Sequence, residues 1–111
     1  MVKVNLSRKL VLEERTNTPD GKGGFTVGWQ VVGVIWADVD ARSGREALVS
    51  ARDISRVRHR IIVRGAPVGT ASRPRPDQRF REGDRVFSIL AVAEFDPAGR
   101  WLECWAEEGK G

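Results

Sequence analysis

The stretch FTVGWQVV places Phe25, Val27, Trp29 and Val31 on one face, at the period of two that a half-buried strand requires. Gly33 interrupts it, as a bulge or turn would. Val34 to Asp40 then resumes as a strand, with Ile35, Ala37 and Val39 on one side and Val34, Trp36, Asp38 and Asp40 on the other. Four more segments alternate in the same way. They are Val4 to Glu14 (Leu6, Leu10 and Leu12 together), Val57 to Arg64 (Val57, His59, Ile61 and Val63 together), Arg85 to Phe95, and Arg100 to Ala106. Turn chemistry separates them: NTPDGKGG (Asn17 to Gly24), DPAG (Asp96 to Gly99), and a Pro-, Gly- and Arg-rich stretch from Gly65 to Asp84 that reads mostly as loop. This pattern predicts an all-β fold, a small antiparallel barrel or sandwich of about six strands. A barrel has the added merit of leaving no exposed sheet edge.

One segment breaks the strand rhythm. Between the third and fourth predicted strands, residues 40–57 form a charged excursion. Ser43-Gly44-Arg45-Glu46 fits the S-x-x-E capping box, in which the Ser43 hydroxyl accepts from the Glu46 N–H and the Glu46 carboxylate from the Ser43 N–H. Ala47, Leu48, Ala51 and Ile54 follow at helical spacing. The expectation is one short helix of two to three turns, too short to persist without packing.

Length and composition narrow the function. At 111 residues the chain is one domain, 1–111, and 31% charged with 41% hydrophobic residues is globular rather than disordered. The net charge of +4 comes mainly from arginine, 15 against 4 lysines. Arginine suits carboxylates, phosphates and protein interfaces alike. Its excess also fits the composition that a GC-rich genome imposes. No apolar run approaches the roughly 18–20 residues of a membrane span. The N-terminus is too short in apolar residues and too charged for a signal peptide, and the single cysteine cannot form an internal disulfide. The expectation is a protein without membrane contact, cytoplasmic when synthesised.

The residues of catalysis are scarce. There is one His, one Cys and no Tyr, and acid–base or nucleophilic chemistry needs matched groups. His59 sits on the apolar face of its strand and reads as a packed histidine; Cys104 reads as a core thiol. Asp38, Asp40, Ser43 and Glu46 do not complete a calcium loop, because Arg42 takes a ligand position and the glutamate comes too early. GKGG (Gly21 to Gly24) lacks the Ser or Thr of a phosphate loop. No catalytic residue, metal site or cofactor is expected. Arg42, Arg45, Arg52, Arg56, Arg58 and Arg60 admit three readings: phosphate contacts on a nucleic acid, carboxylate contacts on a neighbouring protein, or a solvated face. Aromatic interleaving, which would signal base stacking, is sparse there. A long ordered excursion favours the protein interface.

The order of the motifs carries more than any one of them. DGKGGF is followed by Trp29, then VIWADVDARSGRE, VRHRIIVR, EGDRVFSILAVAE and a closing RWLECWAEE. Over nearly the whole chain this resembles the phage head–tail joining family, the small head-closure or stopper proteins of long-tailed phages, which also occur in prophages and gene transfer agents. The resemblance implies a small β-barrel with a long excursion after its third strand. It implies a homo-oligomeric ring, usually of six, beneath the portal-side adaptor. It also implies closure of the filled head, docking of tail terminator or tail-tube proteins, and DNA in the channel. Carried onto this chain, the excursion at 40–57 becomes an assembly and gating element. Arg42, Ser43, Arg45, Glu46, Arg52 and Arg56 are its candidate interface or channel residues. Glu103, Glu107 and Glu108 would meet arginines of the next subunit or of the adaptor. PRPDQRF (Pro74 to Phe80) departs from the shorter, more apolar segment of relatives. A neighbouring connector, either adaptor or tail-joining protein, and a nucleic-acid-binding barrel are the other two readings.

Overall fold

The computed structural model describes residues 3–42 and 57–109. Among them six strands form an all-antiparallel sheet: β1 (Arg8–Pro19), β2 (Phe25–Arg42), β3 (Val57–Arg64), β4 (Arg79–Glu82), β5 (Arg85–Glu94) and β6 (Trp101–Glu108). The order β1-β2-β3-β6-β5-β4 closes on itself, because β4 pairs back onto β1 through Val11–Arg81, Leu12–Phe80 and Glu13–Arg79. The expected short helix, from the Ser43 cap through Ile54, lies outside the described residues.

The strand number agrees with the sequence reading, but the membership differs. The segments on either side of Gly33 are one strand. Leu12 pairs with Gly33 and Glu13 with Val31, so Val32 is the extra residue of a β-bulge. The segment from Gly65 to Asp84, expected to be loop, contains β4. It was hidden because Phe80 is the only apolar residue of RFRE, and a four-residue strand has no room to display a period. The first strand begins at Arg8 rather than Val4 and runs on to Pro19. Its distal half is polar and is held by pairing with β2 up to Pro19–Phe25, which no apolar pattern announces. The turn between them shrinks to five residues, 20–24. Asp20 Oδ1 accepts from the N–H groups of Lys22 (2.7 Å) and Gly24 (3.1 Å), and Gly21 and Gly23 supply the positive φ angles of 80° and 83°.

The barrel interior is the predicted alternation turned inward. Leu10, Leu12, Ala37, Ile61, Val63, Phe80, Phe87, Ile89, Leu102, Cys104 and Ala106 are buried together. Each large side chain there contributes about 1.5–3 kcal/mol by leaving water. The chain between β3 and β4 is pinned rather than loose. Gly65 donates to the Arg100 carbonyl at 2.7 Å, and a Cβ at Gly65 would stand 2.1 Å from the Gly99 carbonyl oxygen. Pro74 is fully buried, and the side chain of Gln78 accepts from the Arg75 N–H at 2.8 Å. The unusual PRPDQRF stretch is therefore part of the barrel's packing.

One part of the sheet does not join the barrel. β3 pairs with β2 only over Ala37–Arg42, and β4 with β1 only over Val11–Glu13. Beyond those limits, among the described residues, β1 from Glu14 to Pro19 pairs only with β2, leaving a two-stranded ribbon.

Candidate functional site

The two ends of the barrel are built differently. At one end β2 leaves at Arg42 and β3 returns at Val57, so this rim holds the roots of the excursion. The register places Val57 beside Glu108 and Arg58 beside Glu107. Glu107 and Glu108, expected at an interface, therefore do stand where the excursion leaves the barrel. Glu103 stands further down β6, opposite Ile62. Arg42 closes β2 opposite Arg58. Ser43, Arg45, Glu46, Arg52 and Arg56 lie outside the described residues.

Within the subunit these carboxylates already have partners. Glu108 takes a two-pronged contact from Arg85, with Nε at 2.7 Å and Nη2 at 3.0 Å, and its Oε1 lies 3.4 Å from His59 Nε2. Arg8 grips Glu82 in the same manner, at 2.8 and 2.6 Å. Glu107 faces Arg58 at 3.9 Å, and Glu103 faces Arg60 at 3.9 Å and accepts from the Trp105 indole at 3.1 Å. The Arg85 hydrogen bond holds the Glu108 carboxyl below the usual carboxylate range, and the Arg8 hydrogen bond does the same for Glu82. His59 is buried edge-on to the Phe87 ring at 5.0 Å, and burial pushes its pKa down against the pull of Glu108.

The histidine and the cysteine of the barrel are both buried. His59 is 3% exposed and offers no access to a substrate. The Cys104 thiol is fully buried and pushed up to about 12 by burial, so it is not a nucleophile at neutral pH. Among the described residues no group of His, Cys, Asp and Glu could hold a metal, and no helix is long and apolar enough to cross a membrane.

At the other end, the ribbon carries a feature that the sequence reading missed. Cross-strand partners share a face. Phe25, Val27, Trp29 and Val31 therefore lie on the side of Pro19, Asn17, Arg15 and Glu13, while Thr26, Gly28 and Gln30 share the other side with Thr18, Thr16 and Glu14. The extra residue at the bulge then shifts the alternation by one. Val34 and Trp36, which strict alternation would put opposite Val31, fall on the same outer side. The result is an apolar stripe along β2 that solvent reaches: Phe25 is 67%, Val31 60%, and Val34 and Trp36 each 52% exposed. Its middle is braced by a buried carboxylate. Glu13 binds Arg79 Nε at 2.7 Å and Arg81 Nε at 3.0 Å, and the Arg79 guanidinium sits 4.1 Å above the Trp29 ring. Burial of Glu13 opposes its charge, but the two arginines prevail and hold its carboxyl low. The signal was present in the sequence: apolar residues at odd positions before Gly33 and even positions after it. A groove of about 460 Å³ flanks the root of the stripe, between Val34–Trp36 and Arg64–Ala66, with Leu6 and Ser72.

Known proteins agree with this architecture. The family model for phage head completion proteins matches residues 1–109. No curated protein matches the sequence. A chain in the virion of a native gene transfer agent particle is 45% identical, with a TM-score of 0.73 over 96% of both chains. The solution structure of protein SF1141 from Shigella flexneri 2a is 25% identical, with a TM-score of 0.66 over 94% of this chain and 93% of that one. Matched nearly end to end, the chain belongs to the phage head completion protein family, as a structural protein of the head–tail junction.

Proposed function

We propose that the chain assembles as a ring beneath the portal-side adaptor, closes the DNA-filled head and gives the tail its docking surface. The observation that carries this reading is the similarity over 96% of both chains to a chain of a gene transfer agent virion. The barrel suits such a role, being a rigid, closed body with one rim that roots a charged excursion and, at the other end, an apolar stripe open to solvent. The protein works by assembly rather than catalysis. In the ring, Arg42, Ser43, Arg45, Glu46, Arg52 and Arg56 act as interface or channel residues, with Glu107 and Glu108 at their roots and Glu103 further along β6.

The nucleic-acid-binding reading is weaker. Arg8, Arg79, Arg81 and Arg85 spend their guanidinium groups on carboxylates of the same barrel, which leaves them poor phosphate ligands. Electron microscopy of particles made with and without the protein tests the proposal. The expected result is a ring at the junction, and tailless heads that lose DNA when the gene is deleted. Normal particles without the protein would overturn it, and strongly salt-dependent DNA binding by isolated subunits would favour the alternative.

A further inference from the structure

The ribbon leaves two sheet edges open. No described strand pairs with β2 from Phe25 to Trp36 on the side away from β1, or with β1 from Glu14 to Pro19 on the side away from β2. Open edges present unmatched N–H and C=O groups and are normally guarded by charges or proline. Pro19 guards only the end of β1, and Phe25 to Trp36 carries no charged residue in a chain that is 31% charged. An edge this long, uncharged and backed by exposed Phe25, Val27, Val31, Val34 and Trp36 is arranged to receive another strand.

We propose that the strand it receives is β1 of a second copy of this chain, so that neighbouring ribbons join edge to edge into one continuous antiparallel sheet around the ring. The inference rests on the ring reading above and names the partner of one surface within it. Three observations select the occupant. The two open edges lie on the same hairpin and run in opposite directions, so copies related by rotation about an axis along the ribbon bring β2 of one beside β1 of the next in antiparallel order. The charges are compatible as well: β1 brings Glu14 and Arg15 to an edge with no charge to oppose them. The chain already displays this pairing once, from Glu13–Val31 to Pro19–Phe25, so the intermolecular joint repeats an interaction that these two sequences demonstrably make. A two-fold joint of β2 with β2 would leave both β1 edges bare. Only the head-to-tail joint, closed into a ring, leaves no edge open. The polar face of the ribbon, with Thr16, Thr18, Thr26 and Gln30, then forms one side of the continuous sheet and the apolar stripe the other.

Cysteine cross-linking in assembled particles tests this. The one native cysteine is buried and inert, so it gives no background. Particles are made with mixtures of variants that each add one cysteine, T16C or T18C together with T26C or Q30C. All four sites share the polar face, and the combinations cover alternative registers. The expected result is an oxidised dimer in at least one mixture that disappears when either variant is omitted. Dimers from T26C or Q30C alone would overturn the proposal in favour of a two-fold joint. A ring visible in the same particles with no cross-link in any mixture would also overturn it, leaving the ring itself intact. Absence of any ring would remove the ring reading and this inference together.

Discussion

Phe80 and Phe25 are the same side chain in two settings. Phe80 is completely buried in the barrel, on a strand so short and so charged that nothing around it advertises burial. Phe25 leads the cleanest alternating segment of the chain and is 67% exposed. The difference is topological. β4 is enclosed by β1 and β5, whereas the ribbon has run past β3 and β4, and no described strand packs on its outer face, where Arg79 reaches over Trp29. Alternation reports that a strand has an apolar face. It does not report whether that face is met by the same chain or by another molecule.

The sharpest way to break this comparison is to truncate a barrel residue. Phe80→Ala should cost about 3–5 kcal/mol of unfolding free energy, because it opens a cavity in a core already filled by Phe87, Leu10 and Leu12. Chemical denaturation of the isolated subunit measures it. A loss below about 1 kcal/mol would mean that β4 is not the closing strand of the barrel.

Next in size is Glu13, which ties the barrel to the base of the ribbon. Glu13→Ala removes the acceptor of both Arg79 and Arg81 and frees Arg79 from its place over Trp29. Arg79 is only partly exposed, so its lost partner is felt, while Arg81 can turn to water. The expected loss is about 1–3 kcal/mol. Trp29 fluorescence should change with it, since the cation above the ring departs.

The excursion rim should respond to pH. His59 is held below its ordinary value, so the unfolded chain takes up a proton that the folded barrel refuses once pH falls below about 6.5. Stability then declines with falling pH. Glu82 and Glu108 are also held low, by Arg8 and Arg85. Their contribution is complete above the ordinary carboxylate range and is lost as pH falls through their folded values. Both effects have the same sign but occupy successive windows. His59→Gln should abolish the decline that sets in below about pH 6.5 and leave the more acidic one in place. Unfolding midpoints measured across pH for the two proteins decide it; an unchanged upper window would mean that His59 is not the group.

How much of this was legible in the sequence follows from the same physics. The barrel strands from Val57 to Arg64 and from Trp101 onward were readable because apolar residues recur at alternate positions in each, Val57, Ile61 and Val63 in one and Leu102, Cys104 and Ala106 in the other. His59 and Cys104 were readable as interior residues for the same reason. β4 was not readable, since four residues with one phenylalanine look like loop until β1 and β5 are seen on either side. Gly33 was readable as an interruption, yet only the pairing of Leu12 with Gly33 and Glu13 with Val31 shows a bulge that keeps one strand running and its apolar residues on one side. At the candidate site, the register sets Glu107 and Glu108 beside Arg58 and Val57 and Glu103 further along β6, opposite Ile62. What no spacing could show is that Arg85, well upstream, would claim Glu108.

The smallest effect on the isolated subunit is the most informative. Phe25→Ser lies on the outer face of the ribbon near its tip, with most of its surface already in water. Its removal costs the folded subunit little, within about 0.5 kcal/mol in either direction, because there is no burial to lose. If the stripe is covered only when neighbours assemble, the same substitution should leave the denaturation midpoint in place while lowering the yield of tailed particles. The pair Phe80→Ala and Phe25→Ser then separates cleanly: one phenylalanine loses the fold, the other loses the assembly. Were Phe25→Ser to destabilise the isolated subunit by as much as a core truncation, the ribbon would have to fold back onto its own barrel in solution. The contrast between a self-satisfied barrel and an unsatisfied ribbon would then fail at its second term.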